Sequence, residues 1–173
     1  MKRILFIFST LLLFATAAMV SSCNDDEIFL ADDYSDKESI EKFFQKEYLA
    51  KTYLGEDWGD NAFFGKSRND TCILILNQED FLRSYHGNFP LPEVDFSRFS
   101  LVVGQSVVEQ YGYSIESQVL VSKSKEYQLN LYVNLGEGYH EQAMDLVRFW
   151  GCYPKLQKKN IYVNLIKTIN HEK

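Results

Sequence analysis

The chain has 173 residues, with 18 Lys+Arg against 24 Asp+Glu and a formal net charge of −6. That length suits one domain, and a composition of 46% hydrophobic and 15% aromatic residues can supply a core, which excludes a largely disordered chain. The acidic balance argues against a nucleic-acid partner, which calls for a basic face, and three cysteines are too few for a disulfide-built miniprotein.

Lys2 and Arg3 precede an almost unbroken apolar run, Ile4 to Val20, which ends in Ser21, Ser22 and Cys23. A positive head, an apolar stretch and a small-residue exit form the pattern of a secretory signal. Read instead as a membrane-spanning helix, the run is at the short edge of what a bilayer needs and lacks a basic stop-transfer cluster. Asp25, Asp26 and Glu27 follow it.

Val20-Ser21-Ser22-Cys23 resembles the lipobox of bacterial lipoproteins. The resemblance implies that residues 1–22 are removed and that Cys23 carries several acyl chains, palmitate among them. Two or more chains hold a protein stably on a membrane, whereas one gives only marginal binding. Asn24-Asp25-Asp26-Glu27 is similar to the acidic export tag of Bacteroides-type surface lipoproteins. That likeness implies an outer-membrane anchor with the domain on the cell surface; a solvated linker on a periplasm-facing anchor is the alternative.

Residues 23–60 carry twelve acidic and four basic residues, while residues 61–173 carry twelve of each. Acid concentrated beside the anchor would repel anionic headgroups and hold the domain off the membrane. Residues 23–36 accordingly read as an acidic flexible tether, and residues 37–173 as a single globular domain.

Ser35 or Asp36 can cap a helix whose Ile40, Phe43, Phe44 and Tyr48 share one face. Between residues 50 and 70, Gly55, Gly59, Asp60, Gly65 and Asn69 punctuate short aromatic stretches, which suits turns and a meandering strand. Cys72-Ile73-Leu74-Ile75-Leu76 is short and apolar on both faces, as a central strand would be. Asn77 can cap a helix with Phe81, Leu82 and Tyr85 on one face. Phe99 to Val103 predicts a buried strand after the break at Pro90 and Pro92.

Residues 113–121 put Tyr113, Ile115, Val119 and Val121 on one side of a strand. Residues 127–135 alternate, with Tyr127, Leu129, Leu131, Val133 and Leu135 opposite Gln128, Asn130 and Asn134. The polar stretch Ser122 to Glu126 joins the two as a hairpin. Leu146 to Tyr153 and the run marked by Ile161, Val163 and Leu165 read as the last strands. The expectation is an α+β fold: one small domain with a largely antiparallel β-sheet and one or two short helices.

From Asn77 onwards the succession is similar to the C-terminal domain of the protease-complex subunit PrcB. The likeness rests on the Glu79-Asp80 helix, Pro92-Glu93-Val94-Asp95-Phe96-Ser97, Leu101-Val102-Val103-Gly104, the Gly112-Tyr113 strand start and the closing strands, and spans residues 72–168. Phe149-Trp150-Gly151-Cys152-Tyr153-Pro154-Lys155-Leu156 also resembles a signature of small Bacteroides-type lipoproteins of unknown function. Gln105-Ser106-Val107 replaces the glycine-rich turn usual after the valine strand. The resemblance implies association with a partner protease and brings no catalytic residue, cofactor or metal.

Three catalytic patterns fail on inspection. His140-Glu141-Gln142-Ala143-Met144 has Met144 where a zinc-protease helix needs its second histidine. Gly136, Gly138 and Glu141 imitate a dinucleotide loop but put a carboxylate where pyrophosphate would sit. Gly104-Gln105-Ser106-Val107-Val108 lacks the second glycine of a nucleophile elbow. With histidines only at 86, 140 and 171, no metal cluster or triad can be assembled. Glu93 and Asp95 read as turn caps rather than an acid–base pair.

Once Cys23 is lipidated, Cys72 and Cys152 remain, and in the cell envelope they would either pair as a disulfide or stay as two inert thiols. Trp58 and Trp150 are the candidate ligand contacts, for a glycan or for a protein. No enzyme is expected. The sequence reads as an envelope-anchored lipoprotein that acts as a protein-interaction module, through a sheet edge or the loops around Tyr139 and Trp150; a glycan-binding surface lipoprotein is the alternative.

Overall fold

A computed structural model of the chain describes residues 26–31, 37–49, 61–67, 69–109, 112–135 and 145–168. The candidate residues Cys23, Trp58, Tyr139, His140 and His171 lie outside them, as do both glycine positions 136 and 138.

Among the described residues seven strands form two sheets: β1 (Glu27–Leu30), β2 (Thr71–Ile75), β3 (Phe99–Val108), β4 (Ser114–Ser122), β5 (Glu126–Asn134), β6 (Asp145–Pro154) and β7 (Asn160–Thr168). One sheet has the order β1-β4-β5-β7, and the other β2-β3-β6. All pairings are antiparallel except β5 with β7, which is parallel. Two short helices, α1 (Lys37–Phe44, continued by a π-helical turn over Gln45–Leu49) and α2 (Gln78–Ser84), complete the fold. The expected α+β class with largely antiparallel sheets is what the chain adopts.

The three-stranded sheet is the middle layer. Leu101 and Val103 of β3 and Cys152 of β6 face Ile40, Phe43, Phe44 and Tyr48 of the helix, together with Phe63 and Phe81. Val102, Val108, Val147, Phe149 and Tyr153 point the other way and meet Leu120, Leu129, Leu131 and Val133 of the four-stranded sheet. Period-two alternation in one sheet thus feeds two cores. This explains the double-sided apolar run at residues 72–76: it belongs to a sheet covered on both faces. The run is nevertheless an edge strand, not the central one.

The helix expected from Ile40, Phe43, Phe44 and Tyr48 forms, and all four are buried. Asn77 caps α2 as predicted, its side chain accepting from the Asp80 N–H at 2.8 Å. Phe81 and Tyr85 face the core, four residues apart. Leu82 does not join them; it lies about 100° further round the helix axis and is 62% exposed.

Three further expectations change. Glu27–Leu30, read as part of a flexible tether, pairs with β4, and Phe29 packs into the inter-sheet core. Val119 and Val121 do not share a face with Tyr113 and Ile115, because an irregularity between Ile115 and Ser117 shifts the register and turns Leu120 inward. The buried strand expected over Phe99 to Val103 continues through Gly104 to Val108. Gly104 makes room for its cross-strand partner Phe149, whose Cζ lies 2.3 Å from where a Cβ would stand.

For Cys72 and Cys152 the sequence left a disulfide and two separate thiols both open. Cys72 and Cys152 are not joined in a disulfide. β3 separates their strands, which puts them about 9.6 Å apart in the pairing direction alone, and they point to opposite faces, Cys152 into the helix-side core and Cys72 into the inter-sheet core. A disulfide needs Cα atoms within about 7 Å and converging Cβ vectors.

Candidate functional site: an open strand edge beside a basic cleft

Each sheet ends in edge strands, and these are not equivalent. At the β6 edge, carbonyls that point outward are taken by side chains: Gln118 Nε2 donates to the Trp150 carbonyl at 3.0 Å, and the Tyr113 hydroxyl to the Leu146 carbonyl at 2.9 Å. These bonds come from β4 and the residue before it, so the inter-sheet packing caps two of the outward carbonyls of that edge. Edge strands left open invite pairing with other chains.

The same alternation fixes the β2 edge. Even-numbered β6 residues direct their backbone groups away from β3, so odd-numbered β3 residues face β2. The Val107 N–H, held by Asp70 Oδ1 at 2.7 Å, agrees with this parity. Through the pairs Thr71–Gln105, Ile73–Val103 and Ile75–Leu101, the odd residues of β2 complete the ladder. Cys72 and Leu74 therefore turn their N–H and C=O groups to the free edge. Among the described residues no hydrogen bond engages those groups, and no strand pairs there.

That edge opens on a cleft of about 550 Å³. Cys72, Ile73 and Leu74 line it consecutively, as only the rim of a sheet does. Arg83 of α2 closes one side and Lys158, Lys159 and Ile161, at the start of β7, the other. Arg83 pairs with Asp80. Lys159 Nζ donates to Ser122 Oγ at 3.0 Å and the Lys123 carbonyl at 2.9 Å, so this cation is held in place by the β4–β5 turn. Lys158 is exposed. Arg83, Lys158 and Lys159 stand against one lining carboxylate, Asp80, in a chain whose net charge is −6.

Burial raises the Cys72 thiol far above its ordinary range, so it stays protonated and poorly nucleophilic. Among the described residues no three His, Cys, Asp or Glu side chains gather as metal ligands. Asp95 caps a turn as expected, accepting from the Ser97 N–H at 3.0 Å; hydrogen bonding by the Ser97 side chain is the main cause of its lowered pKa.

Trp150 lies elsewhere. One face of its indole stacks on Phe44, with centroids 4.4 Å apart and planes 9° apart, and the ring is only half-buried because it also borders an open depression with Glu41, Lys42, Gln45 and Lys46. The rest of the Phe149–Leu156 signature is also structural. Lys155 Nζ donates to the Leu76 and Phe96 carbonyls, each at 2.6 Å, and the Leu156 N–H to Ser100 Oγ at 3.0 Å. Beside it, buried Arg148 donates to the Tyr48 carbonyl at 3.1 Å, and Gln105 Nε2 to the Ser67 carbonyl at 2.7 Å. Sequence reading named a sheet edge as a contact but not which one. Apolar character on both sides made β2 look central, and the caps on β6 depend on side chains from another sheet.

Comparison with known proteins returns no matching family model, no matching curated protein and no matching solved structure.

Proposed function

We propose that this chain is an envelope-anchored lipoprotein, held in the outer membrane by lipid on Cys23 with its domain on the cell surface, and that it works without catalysis as a protein-interaction module. The lipobox-like Val20-Ser21-Ser22-Cys23 supports the anchor. Among the described residues no helix is long and apolar enough to cross a membrane. The PrcB-like succession supports a protein partner, a protease or an outer-membrane assembly.

One observation carries the contact surface: the backbone of Cys72 and Leu74 faces outward on an open cleft, while side chains cap the Leu146 and Trp150 carbonyls on the opposite edge of the same sheet. Strand addition to an exposed edge is a general mode of peptide recognition. The glycan reading relied on exposed tryptophan, and Trp150 gives one face of its ring to Phe44.

The test is affinity isolation of the full chain from intact cells after chemical crosslinking. The reading expects one dominant protein partner, lost on Tyr162→Asp, an exposed residue lining the cleft, and retained on Leu30→Asp at the far edge of the other sheet. Recovery of nothing above background contradicts it. Cys23→Ser, which removes the lipid, is expected to release the chain into the soluble fraction.

A further inference from the structure

We infer that the occupant of the β2 cleft is an extended, acidic polypeptide segment that adds to the sheet as a strand beside Cys72 and Leu74. This rests on the protein-interaction reading above and names the chemistry of its partner. The outward N–H and C=O groups of two alternate residues can exchange up to four backbone hydrogen bonds with an incoming strand. Leu74, Leu76 and Ile161 along the cleft receive alternate apolar side chains.

Charge selects the class of partner. Three of the four charged groups lining the cleft are cations, so the rim runs against the sign of the chain as a whole. Asp80 is matched by Arg83, which leaves Lys158 and Lys159 as the excess. The Lys159 ammonium is held at the β4–β5 turn and over the Tyr127 ring, so it adds to the potential along the cleft without facing the β2 edge itself, and Lys158 is the cation free to meet a carboxylate. An acidic strand finds complementary potential there, and a basic strand meets like charge. A second copy of this chain would bring its own basic rim to the same place, which disfavours self-association through two such clefts.

The experiment uses the full chain in detergent micelles and two probes, an eight-residue peptide alternating valine and glutamate and its valine–lysine counterpart. Binding is read by titration and by exchange protection of individual amides. The expected result is preference for the glutamate peptide by about tenfold or more at low salt, with new protection at the Cys72 and Leu74 amides. Arg83→Glu combined with Lys158→Glu abolishes the preference while the protein stays folded: both side chains are exposed, and loss of the Arg83–Asp80 pair lowers the melting midpoint only slightly. Equal binding of the two peptides at the cleft overturns the acidic partner but leaves the protein-contact reading standing. Protection away from β2, or binding of neither peptide, overturns the inference. If cells also yield no crosslinked partner, the protein-contact reading falls with it. Dimerisation lost on the double substitution overturns the inference in favour of a second copy.

Discussion

The indole of Trp150 lies flat on the ring of Phe44, 4.4 Å between centroids, and this contact joins β6 of the central sheet to α1. Phe44 in turn stacks on Phe63 and Phe81, so one aromatic pile ties the helix, the segment at residues 61–64 and α2 to the sheet. Trp150 is thereby a packing residue. Trp150→Ala is expected to destabilise the domain by about 3 kcal/mol, in the range for large-to-small aromatic substitutions, and denaturant unfolding checks it. A loss under about 0.5 kcal/mol, typical of surface sites, would return Trp150 to the ligand-contact role.

Two buried tyrosines make opposite predictions. The Tyr48 hydroxyl donates to the Gly104 carbonyl at 2.6 Å, whereas the Tyr153 hydroxyl, equally buried, has no hydrogen-bond partner among the described residues. Tyr48→Phe should cost about 1 kcal/mol, and Tyr153→Phe should be neutral or stabilising by up to about 1 kcal/mol, because it removes a buried group left unsatisfied. Parallel urea titrations of the two variants decide the matter. Equal destabilisation would contradict the assignment.

The same hydroxyls predict alkaline instability. Burial raises the pKa of Tyr48 and Tyr153, and of Tyr85, whose hydroxyl also donates to Glu47 Oε2 at 2.9 Å. The unfolded chain releases these protons near pH ~10 while the native state retains them. Unfolding then releases protons, so this contribution is full below about pH 10 and is lost as pH climbs through the native values. The urea midpoint of the unsubstituted protein should fall above about pH 10, and less steeply in Tyr153→Phe. Parallel pH profiles would show that Tyr153 is not held protonated by the fold.

Cys72 and Cys152 should behave as two separate, protected thiols. The mass of the domain should not change on reduction, and iodoacetamide at pH ~8 should leave both cysteines unmodified in the native state while modifying both in denaturant. Rapid native alkylation of Cys72 would contradict its raised pKa. A mass two daltons higher after reduction would contradict the free thiols.

What the sequence discloses and what it hides follow from the range of the interactions. Ile40, Phe43, Phe44 and Tyr48, the Asn77 cap and the alternation at residues 127–135 were legible because neighbours along one element produce them. Phe29 was not, since a four-residue strand among acidic residues becomes apolar only by packing against a sheet formed by distant residues. The inward Leu120 was hidden by one irregularity near Glu116, which inverts every later position of β4. The open edge is the hardest to read. It depends on which of three strands lies in the middle and on Gln118 and Tyr113 reaching across to β6.

The most direct test of the account places a photocrosslinking residue at position 158, beside the β2 edge, and separately at position 30 on the opposite side of the fold, in the full-length chain in intact cells. The account predicts a discrete protein adduct from position 158 and none from position 30. Adducts from position 30 alone, or from neither position, would contradict a partner docked on the β2 edge.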